Sequence, residues 1–309
     1  FSMTQSIGLG VVNIASELHR NKPNLVLIIG DRYEALAAAI SAACQNLALA
    51  HIQGGEVSGS IDESIRHAIT KLAHIHFPAT ERAKKFIINM GENPEKVFNF
   101  GCPSVDYIQT ISEDTVTQDL NKIGVGANID VLKPYLLCLM HPVTTDADSQ
   151  RVKTNVLLSA IDDIGLPTVL LWPNIDAGSD EVSKAIRVHR ENSDRKLIRY
   201  IKHLDHIHFQ KLLKFCACAL GNSSSFIRDS SFTGTPVVLV GNRQKGRERS
   251  NNVIDVNFDL DEIITSVRLQ LKNGRYQTSN IYGTLGASKL IGDKLATCDL
   301  SINKSLNFL

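Results

Sequence analysis

The apolar positions of this chain fall into short runs, and each run is followed by a polar or glycine-containing loop and then by a segment with helical spacing. The runs read NLVLIIG, LALAHI, KVFNFG, YLLCLM, TVLLW, CACAL and PVVLV. Strands that alternate with helices are typical of a parallel sheet with crossover connections. The pattern therefore predicts an α/β protein built from doubly wound, Rossmann-like units.

A polar stretch interrupts this pattern between residues 111 and 134 and indicates a domain boundary. A chain of 309 residues is long enough to form two hydrophobic cores. We therefore expect a first domain over residues 1–125 and a second over residues 126–284, with residues 285–309 crossing back to the first.

The charge balance argues against some classes of partner. The formal net charge is +1 and no basic block occurs, so neither nucleic acid nor an anionic membrane is expected as the main partner. The apolar runs are too short to span a bilayer. The six cysteines lie mostly inside apolar segments and form no CxxC motif, which predicts reduced, buried thiols in a cytoplasmic protein.

Polar residues follow the predicted strands at the points where a ligand site is normally built. Open parallel sheets bind their ligands beyond the carboxyl ends of the strands. The residues at these positions are Asp31, Gln53, Cys102, His141, Asn174, Ser223 and Arg243. We therefore expect one site, assembled from these loops in a cleft that the two domains share.

The segment HIQGGEVSGSIDESIRH, residues 51–67, combines helix-start chemistry with a concentration of ionisable groups. Ser60 and Glu63 have the spacing of a capping box. An apolar stripe of near-helical period follows at Ile61, Ile65, Ile69 and Leu72. The charged pairs Asp62 with Arg66 and Glu63 with His67 each lie four residues apart. A helix start does not account for the two glycines before Glu56.

Motifs in a fixed order extend this picture across nearly the whole chain. They are GDR at 30–32, HIQGGEVSGSIDESIRHAITKLAH at 51–74, GCPSVD at 101–106, HPVTTD at 141–146, PNIDAGS at 173–179, GNSSS at 221–225, GTP at 234–236 and RQKGRE at 243–248. Together they resemble the hydrolysing UDP-N-acetylglucosamine 2-epimerases of sialic- and legionaminic-acid biosynthesis. The resemblance implies two Rossmann-like domains facing a cleft in a glycosyltransferase-B type fold, a homodimer, and no cofactor or metal.

The resemblance also implies a reaction. UDP leaves a UDP-2-acetamido sugar by elimination, water adds to C1 of the resulting glycal, and a proton returns to the opposite face of C2. The products are UDP and the free manno-configured sugar. This chemistry needs a base, an acid and electrostatic help for the leaving diphosphate. Crowded carboxylates and a histidine suit it, because burial and like charge spread their pKa values.

The resemblance assigns six positions to catalysis. They are Asp31, Gln53, Glu56, Asp62, Glu63 and His141. Asp31 is expected to act in acid–base chemistry, with Asp62 sharing in it and Glu63 supporting it, although a helix cap would also explain these carboxylates. His141 would meet the diphosphate or act as an acid, unless it is only a satisfied histidine before a proline turn.

Ten further positions are assigned to the UDP-sugar. They are Arg32, Arg66, His67, Asn174, Asp176, Ser179, Ser223, Ser224, Asp229 and Arg243. The serines of GNSSS would hold phosphate oxygens together with backbone N–H groups. Arg243 would pair with the diphosphate, and Asp229 matches the family's carboxylate for the ribose hydroxyls. Asn174 and Asp176 would face the sugar or the diphosphate, although an Asx turn explains both as well.

Two features depart from the family pattern. Gln53 stands where the resemblance implies a catalytic glutamate, and an amide does not take a proton from carbon at neutral pH. This fits an engineered inactive variant, a different substrate, or a natural subgroup in which Glu56 or Asp31 does the work, which we favour. The family also opens with a strand and a Gly-Thr-Arg-type loop roughly seventy residues before Phe1, about two βαβ units in length. We therefore expect a truncated chain with an exposed sheet edge.

Several functions stay open at this point. A glycosyltransferase of the same architecture would use the same UDP half-site, although HPVTTD and SIDESIRH argue against it. A UDP-sugar-binding paralogue without turnover would fit Gln53. A non-hydrolysing epimerase is disfavoured by the loop around the second pair of carboxylates. The sugar is either N-acetylglucosamine or a 2,4-diacetamido-trideoxy sugar.

Overall fold

The computed structural model of the protein describes residues 2–59, 61–108, 110–111, 120–143, 149–174, 178–192 and 197–307. The chain divides into two compact units. The first comprises Phe1–Asp106, Lys245–Arg247 and Tyr282–Leu309, and the second comprises Tyr107–Gln244 and Glu248–Ile281. Each unit therefore combines segments that are distant in the sequence.

Within the described residues, the first unit has a three-stranded parallel sheet with helices packed on it. In chain order the elements are α1 (Ser2–Asn21), β1 (Leu25–Ile29), α2 (Tyr33–Cys44), β2 (Ala48–Ile52), α3 (Ile61–Leu72), β3 (Ile75–Phe77), α4 (Glu81–Asn89) and, at the boundary, α5 (Ser104–Ile108). The strand order is β1-β2-β3, with Ala50 of the central strand opposite Leu27 and Ile75. The central strand is buried throughout, whereas the edge strand β1 exposes 44% of Leu27 and 60% of Ile29.

The helices of the first unit pack through apolar stripes. The helix predicted after residue 60 forms as α3, and its Ile65 and Ile69 join Ala42 and Leu49 in one buried cluster. Ile61, which was expected in the same stripe, is 40% exposed. Among the helices that the structure describes, none is long and apolar enough to cross a membrane.

The second unit has a seven-stranded sheet within the described residues. Its elements are β4 (Val125–Gly126), β5 (Leu136–Leu139), α6 (Gln150–Ile164), β6 (Thr168–Leu171), α7 (Ser179–Asn192), β7 (Ile198–Ile201), α8 (His206–Phe215), β8 (Cys218–Gly221), α9 (Ser225–Ser231), β9 (Val237–Val240), β10 (Val253–Val256) and α10 (Leu260–Asn273). The order is β10-β9-β8-β5-β6-β7-β4, and β4 alone of these pairs antiparallel. The predicted α/β class with parallel strands is confirmed.

The chain then returns to the first unit through α11 (Ala287–Thr297). The carboxylate of Asp106, the last residue of the GCPSVD motif, accepts hydrogen bonds from the backbone N–H groups of Gly286 and Ser288, both at 2.6 Å. These are N–H groups at the start of α11, which have no partner inside the helix. Asp106 therefore caps a helix that lies far away in the sequence.

The boundary between the units falls after Asp106, whereas the sequence places it near residue 125. Arg199 of β7 is 5% exposed and donates hydrogen bonds to the carbonyls of Asn121 at 2.5 Å and Ile123 at 2.9 Å. Together with the pairing of β4 and β7, these bonds attach residues 121–126 of the polar stretch to the second unit. The sequence indicated a linker here because the stretch is polar. The contacts that hold it are accepted by backbone carbonyls, and side-chain composition does not reveal these.

One predicted strand is wrong. KVFNFG forms a single bridge, at Val97, rather than a strand. The side-chain oxygen of Asn99 accepts a hydrogen bond from the N–H of Gly101 at 3.2 Å, and this local turn competes with pairing along the sheet. The apolar character of the segment serves packing instead, since the rings of Phe98 and Phe77 lie 6.0 Å apart.

The cysteines are all free thiols, as predicted, and their burial differs. Cys102, Cys138, Cys216 and Cys218 are buried, and burial raises the pKa of the Cys138 and Cys216 thiols to about 12. Thiols of this kind behave as small apolar side chains. Cys44 is exposed, which the sequence did not predict.

Candidate functional site

Two predicted site residues follow neighbouring strands of the first sheet. Asp31 comes just after β1 and Gln53 just after β2. The N–H of Gly30 donates to the carbonyl of Ile52 at 3.0 Å, and the N–H of Gln53 donates to the carbonyl of Phe77 at 2.9 Å. The GDR and HIQGG motifs therefore meet at the carboxyl end of this sheet, where a ligand site was predicted.

Arg66 of α3 organises this end of the sheet. The residue is 1% exposed, and its Nε donates to Oδ2 of Asp31 at 2.9 Å while its Nη2 bonds the same carboxylate. Nη1 donates to the carbonyl of Glu56 at 2.5 Å, and Nη2 donates to Oγ of Ser58 at 3.1 Å. The resemblance assigned Arg66 to the UDP-sugar, but protein acceptors enclose its guanidinium. It orients Asp31 and the loop before α3.

The acidic first turn of α3 closes the same loop. Oε2 of Glu63 accepts a hydrogen bond from the N–H of Ser58 at 2.8 Å, and Oε1 lies 3.6 Å from Nε2 of His67. Asp62 is half-buried in the same turn, where the helix dipole favours a carboxylate. Ser60, the predicted cap, lies outside the described residues. Glu63 is therefore placed to support the loop.

Glu56 forms a buried ion pair with Arg247. Their side chains are 4% and 5% exposed, and Arg247 belongs to the segment Lys245–Arg247 that packs with the first unit. Breaking a buried pair leaves an uncompensated charge and costs about 3–5 kcal/mol. A carboxylate held in this way is a poor replacement for the family glutamate at Gln53, so the pair favours a structural task for Glu56.

Gln53 has an unusual backbone conformation. It is 9% exposed and its φ is 65°, in the left-handed region that residues other than glycine seldom adopt. Its Nε2 donates a hydrogen bond to Sγ of Cys102 at 3.3 Å. Residues held in this region cluster at functional sites, because the surrounding structure must stabilise them. The geometry therefore brings GCPSVD to the same place as HIQGG.

His51 belongs to this site, and the sequence reasoning missed it. Its Nε2 lies 2.8 Å from the carbonyl oxygen of Gly30, so Nε2 carries the proton, and Nδ1 accepts from the hydroxyl of Thr70 at 3.2 Å. Burial lowers the pKa of His51 to about 4, so the ring is neutral. A Cβ on Gly54 would lie 2.8 Å from Nδ1, so glycine leaves room for the ring. The available signal was a histidine inside the apolar strand LALAHI.

In the second unit, His141 is held by two other loops. Its N–H donates to Oδ1 of Asn222 at 2.7 Å, and Nδ2 of Asn222 donates back to its carbonyl at 2.8 Å. The N–H of Asn174 donates to Nδ1 of His141 at 3.2 Å. A neutral ring that accepts at Nδ1 carries its proton on Nε2. The loops after β5, β6 and β8 therefore meet at this histidine.

The carbonyl of Asn222 gathers further polar groups. It accepts from Nη1 of Arg243 at 3.4 Å and from Nε2 of Gln244 at 3.1 Å. Ser223, the next residue, is buried, and Ser224 stands just before α9. GNSSS and the start of RQKGRE are therefore adjacent in the second unit, with two serines and one guanidinium close to the end of β8.

Asp229 lies in α9 and is 2% exposed. Its Oδ2 accepts from Nε2 of Gln210 at 2.7 Å, and its Oδ1 lies 3.5 Å from Nε of Arg228. The carboxylate that the resemblance assigned to the ribose therefore already has protein neighbours.

The remaining assigned residues have separate environments. Arg32 is half-exposed and pairs with Glu34 at 3.0 Å, and Ser179 begins α7. Asp176 lies outside the described residues. Within the ranges that the structure covers, no group of three or more His, Cys, Asp or Glu side chains is arranged to hold a metal ion.

Comparison with known proteins places these loops in context. The profile of the UDP-N-acetylglucosamine 2-epimerase family matches residues 1–296. The chain is 38% identical over 282 residues to the UDP-N,N'-diacetylbacillosamine 2-epimerase (hydrolyzing) of Legionella pneumophila, a match that covers 91% of this chain and 73% of the relative. It is 33% identical over 266 residues to the GDP/UDP-N,N'-diacetylbacillosamine 2-epimerase (hydrolyzing) of Campylobacter jejuni, covering 84% and 67%.

A solved structure shares the fold. The UDP-GlcNAc 2-epimerase from Neisseria meningitidis bound to UDP-GlcNAc has a TM-score of 0.78 at 18% identity, covering 96% of this chain and 83% of that one. Identity at this level speaks for the fold alone, and it confirms the glycosyltransferase-B type with two Rossmann-like domains. The family profile spans all of the motifs that carried the resemblance, so the chain belongs to the UDP-N-acetylglucosamine 2-epimerase family.

Proposed function

We propose that this protein is a hydrolysing UDP-sugar 2-epimerase. It would convert UDP-GlcNAc or a UDP-2,4-diacetamido-trideoxy sugar, with water, into UDP and the free manno-configured sugar. The observation that carries the proposal is the arrangement around Arg66. This residue bonds Asp31 of the GDR motif and the carbonyl of Glu56 in the loop that follows HIQGG. The two relatives described above, at 38% and 33% identity, are named as hydrolysing enzymes of diacetylbacillosamine nucleotides, which favours the diacetamido sugar as the first substrate to test.

In the elimination step, a base removes the proton from C2 while the bond from C1 to the diphosphate breaks and UDP leaves. Water then adds to C1 of the glycal, and a proton is delivered to the opposite face of C2. We assign these proton transfers to Asp31 and Asp62. Glu56 and Glu63 are bound to Arg247 and to the loop backbone, so we assign them support.

The second unit would bind the UDP half of the substrate. His141, with its proton on Nε2, would donate to the leaving diphosphate and stabilise its charge. Ser223, Ser224 and Arg243 would contact the phosphates, and Asn174 would lie near the sugar. Asp229 at the ribose, a homodimer and a cytoplasmic location stay predictions.

A second candidate function is UDP-sugar binding without turnover. It is favoured by Gln53, whose amide bonds the thiol of Cys102 and has no acid–base capacity at neutral pH. Both functions predict UDP binding, so they differ only in the chemistry at C1 and C2.

The test is NMR of the purified protein in deuterated water, with UDP-GlcNAc and separately with UDP-diacetylbacillosamine. We expect UDP and a free manno-configured sugar carrying deuterium at C2. A UDP-linked manno product would mean a non-hydrolysing epimerase. UDP binding without any product would contradict turnover and support the second candidate, and Gln53→Glu would then be tested for gain of activity.

Asp31→Asn tests the assignment of Asp31 to the proton transfers. It should abolish turnover, because an amide neither removes nor supplies the C2 proton, while calorimetric UDP affinity stays nearly unchanged. Loss of UDP affinity instead would contradict the assignment of Asp31 to the proton transfers.

A further inference from the structure

A network of charged side chains surrounds the buried Glu92 at the far end of α3, away from the acidic first turn. The side chain of Glu92 is 3% exposed and accepts from Nζ of Lys71 at 2.5 Å, Nε2 of His76 at 3.0 Å and Nζ of Lys304 at 2.7 Å. Burial by itself would raise the pKa of Glu92, but the hydrogen bonds from these three partners outweigh it and hold the pKa at about 2. Glu92 is therefore an ionised carboxylate held by two ammonium groups and one imidazole.

Lys304 comes from the C-terminal segment, residues 299–307. Besides Glu92, its ammonium contacts the carbonyls of Thr70 at 3.1 Å, Lys71 at 2.7 Å and Ala73 at 2.5 Å. The last carbonyls of a helix have no partner within it, and a cation there is favoured by the helix dipole. Lys304 therefore caps the carboxyl end of α3.

Other contacts hold the C-terminal segment in place. The N–H of Asn307 donates to the carbonyl of Gly91 at 2.9 Å, and Nζ of Lys96 lies 3.0 Å from Oδ2 of Asp299. Burial also lowers the pKa of Lys304, opposed by its hydrogen bond to Glu92. The ammonium is thus fixed by its surroundings rather than extended into solvent.

Thr70 connects this cap to the candidate site. Lys304 contacts its carbonyl, and its hydroxyl donates to Nδ1 of His51, whose Nε2 donates to the carbonyl of Gly30. Gly30 is the residue before Asp31. All of these hydrogen bonds are buried or partly buried, and Thr70 and His51 are both 0% exposed.

We propose that the C-terminal segment positions Asp31 through this chain of hydrogen bonds, with Lys304 as a positioning residue. The ammonium holds the last turn of α3, the turn holds Thr70, and Thr70 keeps His51 oriented towards the carbonyl beside Asp31. The consequence for catalysis rests on the proposed function, whereas the positioning itself does not.

The first test compares Lys304→Met with Lys304→Arg and with Lys289→Met. Lys289 is a matched control, because its side chain is 79% exposed in a surface pair. We expect Lys304→Met to lower kcat about tenfold, with UDP affinity unchanged, and Lys304→Arg to recover most of the loss. A lower melting temperature with unchanged kcat, measured well below unfolding, would overturn the proposal.

A double-mutant cycle then tests the route. Thr70→Val removes the hydroxyl but keeps the carbonyl, so it should lower kcat in the same way. If both residues act through one chain of contacts, kcat of the double variant should fall by no more than about the larger of the two single-variant decreases. Losses that multiply would contradict the route.

Hydrogen exchange separates this proposal from the proposed function. In Lys304→Met, amide exchange should speed up at residues 30–31 and 51–54, and it should not change in Lys289→Met. This readout applies even if the wild-type protein turns over no UDP-sugar. Unchanged exchange at both segments would overturn the positioning role.

Discussion

At the scale of single residues, His51 illustrates how burial sets protonation. An imidazole ordinarily has a pKa of about 6.5, and burial lowers that of His51 to about 4, so the folded protein keeps the ring neutral. Above pH 6.5 the ring is neutral in both folded and unfolded chains, and its contribution to stability is complete. As the pH falls from 6.5 towards 4, only the unfolded chain takes up the proton, and stability is lost.

This gives a prediction for pH dependence. Between pH 6.5 and pH 5, His51 should reduce the free energy of unfolding by about 2 kcal/mol. In urea titrations at the two pH values, His51→Gln should remove that part of the decline, although it lowers stability at neutral pH. His203→Gln, at an exposed position, should keep the wild-type slope. If the free energy of unfolding of His51→Gln declined with pH as in the wild type, other titrating groups would be responsible for the decline.

At the scale of elements, β4 shows that one arginine organises a short strand. Arg199 donates to the carbonyls of Asn121, Ile123 and Gly126, at 2.5, 2.9 and 3.3 Å. A two-residue strand has little stability of its own, because it makes few ladder bonds. The guanidinium supplies donors to carbonyls in and beside the short strand, and so it holds residues 121–126 at the edge of the second sheet.

Arg199→Met should therefore release this stretch. We expect a loss of about 1–3 kcal/mol in the free energy of unfolding, and faster hydrogen exchange at residues 121–127. Exchange in β1–β3 of the first unit should stay as in the wild type. Arg187→Met, at an exposed position of α7, is the control. Unchanged exchange at residues 121–127 would contradict the role of Arg199.

At the scale of the whole molecule, the two units have separate cores and different proposed tasks. The first carries the carboxylates around Arg66, and the second carries His141, GNSSS and Arg243. A ligand that binds only the folded state stabilises the part to which it binds. UDP should therefore act mainly on the second unit, whose loops are proposed to hold the diphosphate.

UDP at a hundredfold excess over its Kd should raise the free energy of unfolding by about 2.7 kcal/mol. Exchange should slow at residues 221–224 and 241–244. Arg243→Ala should weaken UDP binding by about 1–3 kcal/mol, as expected for a charge-assisted contact. Unchanged affinity in that variant, measured by calorimetry, would place Arg243 outside the diphosphate site.

The sequence by itself determined the class of fold and the ends of the strands that carry the site. Parallel strands covered on both faces must be apolar throughout, so LALAHI and PVVLV are recognisable without any tertiary information. The helix after the HIQGG loop was also predictable, because apolar residues at helical spacing mark the face that is buried. KVFNFG is also apolar, but its sequence does not show whether the phenylalanines serve a paired strand or only the packing of their rings.

Only the tertiary structure decided which charges meet. Arg66 was assigned to a ligand because a sequence shows that an arginine is present, not that it bonds a carboxylate 35 residues away. Glu56 pairs with a residue 191 positions later, and Lys304 caps a helix more than 230 positions earlier. Hydrophobic patterns are local and survive in the sequence, whereas buried ion pairs depend on elements that only folding brings together.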